Sequence, residues 1–169
     1  MNVFDAIRTK LDIREYADTP VGDDIKRLVL EAARLSSTGL NSQHWRFILI
    51  DTKDELSKLA EISTTGKWIA GAGFAVIILT DPQYPYHAID AGRAIAYMQL
   101  AAWEKGVVSC IYTGFDEQKM RQRYNIPDKM HIAAVIGFGY PRRKIIGKKS
   151  RLPLSEIAYY MRYGNRLPF

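Results

Sequence analysis

The 169-residue chain is 47% hydrophobic, enough to bury a sizeable core and short for two domains, so residues 1–169 read as one domain. With 24 Lys and Arg against 18 Asp and Glu, the net charge of +6 favours an anionic partner but is modest for a dedicated nucleic-acid binder. The lone Cys110 excludes an intramolecular disulfide, no apolar run reaches membrane-spanning length, and MNVFDAIRTKLDIREY carries charges where a signal peptide needs apolar residues, so a reducing cytoplasm is expected.

In chain order, residues 2–10 read as a short helix and Val21–Leu35 as a longer one, with Val21, Ile25, Leu28, Val29, Ala32 and Leu35 on one face. The stretch SSTGLNSQHW (36–45) is small and polar, and it joins abruptly to RFILID (46–51), a strand. DELSKLAEI (54–62) reads as a helix, and GFAVIILT (73–80) as a buried strand closed by the turn formers DPQYP. Residues 86–105 are apolar or small around most of a helical circumference, which predicts burial on nearly every side. VVSCIYT is a strand, EQKMRQRYN an amphipathic surface helix and HIAAVIGFG (131–139) another buried strand. The basic loop PRRKIIGKKSR (141–151) and the tail PLSEIAYYMRYGNRLPF follow, and the tail's aromatic residues suit packing against a second subunit or, alternatively, a tail folded back on its own chain. Helices and strands are interleaved too unevenly for a repeating βαβ wind.

The motifs exclude much of catalysis. His44, His87 and His131 are far apart in sequence, and no CxxC, HExxH, GxSxG or Walker loop occurs, which argues against metal chemistry and a nucleophile elbow. GFGYPR (137–142) follows a strand but leads into proline and arginines, so a nicotinamide-binding Rossmann unit is not expected. Lys10 and Arg14, four apart, would share one face of a continued helix, and Lys149 and Arg151 would point the same way from extended chain. Each pair can grip a phosphate or simply form a solvated charged surface. In the elbow, Ser36 and Ser37 can fray the preceding helix with Gly39 as its cap, or Ser36, Ser37, Thr38 and Asn41 can offer hydroxyl and amide groups to a ligand. His44 reads as a partly exposed loop histidine, with a substrate contact as the alternative.

Together KLDIREY (10–16), AARLSSTGLNSQHWRF (32–47), DAGRAIAYMQLAAWEKGV (90–107), YTGFD (112–116), IGFGYP (136–141) and KSRLPLSEI (149–157) resemble, in order, the flavin-dependent nitroreductase family. The resemblance implies an α+β fold, a central mostly antiparallel sheet flanked by helices, in an intertwined homodimer with FMN in each of two interface clefts. It implies cofactor contacts at Lys10, Leu11, Asp12, Arg14, Ser37, Thr38, Gly39, Asn41, Thr113, Gly114, Lys149 and Arg151, with the elbow residues reaching the flavin from the opposite subunit. NADH or NADPH would be the electron donor and a small planar nitroaromatic or quinone the acceptor, in ping-pong turnover. No metal, membrane or nucleic-acid partner is implied, and no side chain is assigned as acid or base.

The chain departs from the family pattern at four places, the first being Lys10 where the family has its leading arginine. Asp12 stands where the family has serine, Ser36-Ser37 where it has Ala-Pro, and His44 where it has proline before the tryptophan. Asp12 would either oppose a phosphate or turn to pair with Lys10 or Arg14. These departures keep open a flavin-binding or flavin-consuming protein of the same fold without NAD(P)H turnover. A small basic nucleic-acid binder using loop 142–151 and the tail tyrosines is the more distant alternative.

Overall fold

A computed structural model describes residues 1–169. Helix α1 (Val3–Thr9) starts where the Asn2 side chain accepts the Asp5 N–H at 2.8 Å, and it ends early, because Lys10 already has ψ 126. Residues 10–16 therefore run extended, bridging to Ser109 through Asp12 and to Pro141 through Tyr16. This corrects the continued helix expected through Lys10 and Arg14. The alternation of extended chain, rather than a helical repeat, brings Lys10 and Asp12 to one side.

The chain then forms α2 (Asp23–Arg34), β1 (Arg46–Ile50), α3 (Lys53–Ile62), β2 (Phe74–Thr80), α4 (His87–Glu104), β3 (Val108–Tyr112), α5 (Glu117–Tyr124), β4 (His131–Gly139) and the single turn α6 (Leu154–Ile157). The sheet order is β1-β2-β4-β3, with every neighbouring pair antiparallel. All of β2 is buried, and its period-two alternation feeds two cores. Phe74, Val76 and Ile78 pack with Val29, Ala33, Ala94, Met98 and Phe138 beneath α2 and α4. Ala75, Ile77 and Leu79 pack with Leu56, Leu59 and Met120 beneath α3 and α5. The Phe74 and Phe138 rings stack at 4.7 Å, and each such buried side chain contributes about 2 kcal/mol.

Two expectations need correcting here. Leu35 is 63% exposed, because α2 stops at Arg34 and its buried stripe ends at Ala33. Helix α4 buries Asp90, Ala91, Ala94, Met98, Gln99 and Ala102, but leaves Ile89 61% and Tyr97 47% exposed beside Gly92 and Ala96. Within one chain, then, one side of this helix remains uncovered. The tail is also largely exposed and does not fold back into the core.

Candidate functional site

The first group of polar residues gathers along β3, at one edge of the sheet. Ile13 donates its N–H to Ser109 O at 3.1 Å, laying the extended N-terminal segment beside the strand. Arg14 Nε donates to Cys110 Sγ at 3.4 Å, and its guanidinium lies 6.0 Å from the centre of the Trp68 ring. Trp68 in turn meets Tyr112 edge-on at 5.5 Å. Cys110 is a free thiol and buried.

Lys10 Nζ lies 2.5 Å from Asp12 Oδ1, so Asp12 takes the pairing alternative considered above. The Lys149 ammonium donates to Ile7 O, one of the carbonyls that the end of α1 leaves unpaired. That contact brings the basic loop near the C-terminus onto the basic segment near the N-terminus. The Lys149 ammonium is held below the usual lysine value, first by burial and then by Arg151 and Lys10, with Asp12 opposing them. A second anion in this place would relieve that crowding of positive charge. Arg151 is exposed and donates only to its neighbour Ser150 O, at 2.7 Å. A cavity of 540 Å³ opens between residues 11–15 and 143–147; of the four cations Lys10, Arg14, Lys149 and Arg151, Arg14 alone lines it.

Just past β3, Gly114 O accepts the Thr64 N–H at 2.9 Å and the Thr65 N–H at 3.3 Å, while the Gly114 N–H has no acceptor within the chain. A Cβ on Gly114 would lie 2.4 Å from Thr65 Oγ1 and 2.7 Å from Thr64 Oγ1, so the close turn requires glycine. Thr113 is exposed beside it. Thr64 and Thr65, absent from the sequence-based set, border the same spot; the only local signal was the small-residue turn TTG before KW.

The elbow lies elsewhere. Gly39 does not cap α2: Ser36 closes that helix by donating Oγ to Ala33 O at 2.7 Å, and Gly39 begins a 3₁₀ turn. Leu40, Asn41 and Gln43 have φ of 52, 53 and 48, a left-handed backbone that costs non-glycine residues energy. Asp90, only 1% exposed, offsets that cost from within, accepting the Gly39 N–H at 3.0 Å and lying 3.1 Å from His44 Nε2. His44 Nδ1 accepts the Asp81 N–H at 3.3 Å, which leaves Nε2 to carry the proton shared with Asp90. The His44 ring stacks on Tyr84 at 4.9 Å and is 5% exposed. This corrects the partly exposed loop histidine: His44 is a buried prop of the elbow, replacing the rigidity of a proline with a hydrogen bond. Gly39 is needed because a Cβ there would lie 2.6 Å from the Tyr86 ring. Thr38 Oγ1 accepts the Gln43 N–H at 3.0 Å, and Ser37 and Asn41 are exposed.

One chain does not bring all the predicted residues together. The elbow leads into β1 and the basic group lines β3, the opposite edges of the four-stranded sheet, roughly 14 Å apart. Along α4 the separation is similar, since Asp90 holds the elbow and Gln99, about 14 Å further along the helix, donates to Ser109 Oγ at 3.1 Å. His87 and His131, distant in sequence, meet edge to face at 5.3 Å, but no group of three or more His, Cys, Asp or Glu is arranged to hold a metal ion.

This arrangement of sheet and helices has known counterparts. The family model "Nitroreductase family" matches residues 7–68 and 64–140. The chain belongs to the nitroreductase family. A candidate NADH dehydrogenase/NAD(P)H nitroreductase of Archaeoglobus fulgidus is 30% identical over 145 residues, covering 80% of this chain and 83% of that protein. Among solved structures, an FMN-dependent nitroreductase from Clostridium difficile R20291 superposes with a TM-score of 0.86 at 23% identity, over 95% of this chain and 100% of that one. A nitroreductase family protein from Clostridium difficile 630 gives 0.83 at 26% identity, over 96% and 99%. The α+β nitroreductase fold expected from the sequence is thereby established, and no helix of the chain is long and apolar enough to cross a membrane.

The residues present fit an FMN. Lys10, Arg14, Lys149 and Arg151 form a donor set suited to a dianionic phosphate, and the unpaired Gly114 N–H is a backbone donor free to meet an electron-rich ring edge.

Proposed function

We propose that this nitroreductase family member is an FMN-dependent oxidoreductase that moves hydride from NADH or NADPH to a nitroaromatic, quinone or similar planar acceptor, acting as a homodimer. The observation that carries the reading is the convergence of cations from both ends of the chain with an unpaired glycine amide along a single edge strand. Bound FMN supplies the redox chemistry, accepting and delivering hydride. The chain supplies attachment and orientation. Lys10, Arg14, Lys149 and Arg151 hold the phosphate by charge-assisted hydrogen bonds, and Trp68 keeps the Arg14 guanidinium from folding away. Asp12 fixes Lys10 in place but opposes the phosphate, a repulsion of ~1 to ~4 kcal/mol at about 4 Å, depending on screening. Gly114 N–H donates toward the ring, with Thr113 beside it and Leu11 as an apolar neighbour. Donor and acceptor use one open stacking face in turn, giving ping-pong kinetics, and the proton comes from solvent.

The second subunit explains what one chain leaves uncovered. Leu40, at the tip of the elbow, is 93% exposed in a left-handed backbone, and Val3, Phe4, Ile89 and Tyr97 are exposed on α1 and α4. Docking two copies through these faces buries apolar surface that water would otherwise meet. It also lets Ser37, Thr38, Gly39 and Asn41 of one chain approach the cations of the other. This assembly accounts for a site split between opposite edges of the sheet.

Absorbance of the purified protein, followed by NAD(P)H oxidation with a quinone, tests the proposal. A yellow protein that consumes nicotinamide in proportion to quinone is expected. A colourless protein that gains no flavin spectrum on addition of FMN would end the reading. Tight flavin uptake without nicotinamide turnover would identify the flavin-binding alternative instead.

A further inference from the structure

Six cations lie between residues 142 and 151: Arg142, Arg143, Lys144, Lys148, Lys149 and Arg151. Only Lys149 and Arg151 are assigned to the flavin phosphate. Of the other cations, Arg143 has the single carboxylate contact, with Glu15 at 3.7 Å through an 80% exposed side chain, and Lys144 has no ion pair or hydrogen bond. Arg143 and Lys144 both line the 540 Å³ cavity, together with Arg14 and the apolar side chains of Ile13, Ile145 and Ile146. Ile146 is 86% exposed. One unpaired cation and one held only by a long, exposed contact, beside an exposed aliphatic wall, match a ligand that has a flat apolar base and a compact, doubly charged phosphate.

We propose that Arg143 and Lys144 recognise the 2′-phosphate of the adenosine half of the nicotinamide donor, so that this protein prefers NADPH to NADH. The inference rests on the reading of the β3 cleft as a flavin site and adds to it the identity of the donor. The adenine lies on Ile145 and Ile146, the guanidinium of Arg143 moves from its long contact with Glu15 to the phosphate, and the Lys144 ammonium supplies a second charge. Asp12 and Glu15, the two carboxylates lining the same cavity, repel an anion placed between them. The phosphate therefore has to displace Glu15 from Arg143, and Lys144, which has no ion pair, is its unopposed partner. NADH presents a neutral hydroxyl at this position, leaving Arg143 at its long contact with Glu15 and Lys144 without a partner.

The test uses the full chain loaded with FMN, with flavin absorbance confirming the loading. Calorimetric titration compares adenosine 2′,5′-bisphosphate with adenosine 5′-monophosphate, neither of which undergoes redox chemistry. The bisphosphate is expected to bind about tenfold tighter or more, as one or two charge-assisted hydrogen bonds imply. In R143A/K144A that difference disappears and the NADPH to NADH ratio of kcat/KM falls by a similar factor, while flavin absorbance is unchanged. The double variant R142A/K148A removes equal charge from the same loop outside the cavity lining and is expected to leave the ratio within about twofold. Equal binding of the two probes overturns the inference, as does a ratio that survives the double variant in flavin-loaded protein. A ratio lost equally in R142A/K148A also overturns it, because diffuse charge would then suffice. A parent protein that takes up no FMN overturns the flavin reading first, and this inference with it.

Discussion

Beside β3, the cations sit at a solvent-facing edge and are steadied by partial contacts: Lys10 by Asp12, Arg14 by a thiol and an indole ring, Lys149 by a helix-end carbonyl. Ahead of β1, the elbow is steadied by a buried carboxylate, with Asp90 reaching both Gly39 and His44. The first arrangement leaves donor capacity free, because none of these contacts saturates an ammonium or a guanidinium. The second spends its polar groups on holding a strained backbone in one shape and presents Leu40, Asn41 and Ser37 outward. Comparing the two separates residues that hold a ligand from residues that hold the chain. Substitutions beside β3 should change affinity, and substitutions behind the elbow should change stability.

The largest effect is expected behind the elbow. Asp90→Ala strands the Gly39 N–H and His44 Nε2 in the interior and should lower stability by about 3 kcal/mol, read from urea denaturation. Asp90→Asn keeps one acceptor oxygen and should cost less. A loss below about 1 kcal/mol in Asp90→Ala would mean that α4 does not set the elbow. Beside β3, Arg14→Ala should weaken FMN by roughly tenfold to a hundredfold in a fluorescence-quenching titration, while unfolding without ligand changes by less than about 1 kcal/mol. An equally large loss of stability would blur the division between the two regions.

Asp12→Ser sharpens the comparison in the other direction. Removing the carboxylate should tighten FMN by about fivefold, equivalent to ~1 kcal/mol of relieved repulsion in water-like surroundings. Weaker binding would show that Asp12 acts mainly by positioning Lys10.

The smallest effect is a dependence on pH. The Lys149 ammonium titrates below the usual 10.5 in the ligand-free chain, because of burial and then Arg151 and Lys10. A bound phosphate draws that value upward, so FMN affinity should be full below the depressed value and fall as pH climbs through it toward 10.5. Without ligand the sign is opposite: the penalty on the charged form is present below the depressed value and lifts as pH rises. Lys149→Arg stays charged throughout and should flatten the alkaline limb of the affinity profile.

Local periodicity made most of the fold legible. The seven buried residues of β2 and the long apolar helix α4 stand out because a period of two or 3.6 is a property of neighbouring residues. The end of α1 was less legible, since nothing in TKLDIREY forbids another helical turn; pairing with Ser109 and Pro141 pulls those residues extended. The prop behind the elbow was hidden for a similar reason. Asp90 and His44 are separated by 46 residues and meet only when α4 lies against the elbow, so neither residue looks buried in its own neighbourhood. At the site, the sequence marked the cations, the elbow and Gly114 through resemblance. Thr64 and Thr65 join the site through backbone bonds to Gly114, which side-chain spacing does not reveal.

Whether two chains build each flavin site can be measured in a mixed dimer. One chain carries Thr38→Ala and Asn41→Ala in the elbow, the other carries Arg14→Ala and Lys149→Ala beside β3, and each alone should hold little FMN. The heterodimer, purified through two different tags, pairs intact cations from the first chain with an intact elbow from the second at one of its two sites. FMN measured by absorbance should then approach one per heterodimer. Flavin content no higher than in either homodimer would contradict the account, because a site contained within one chain is damaged in both subunits.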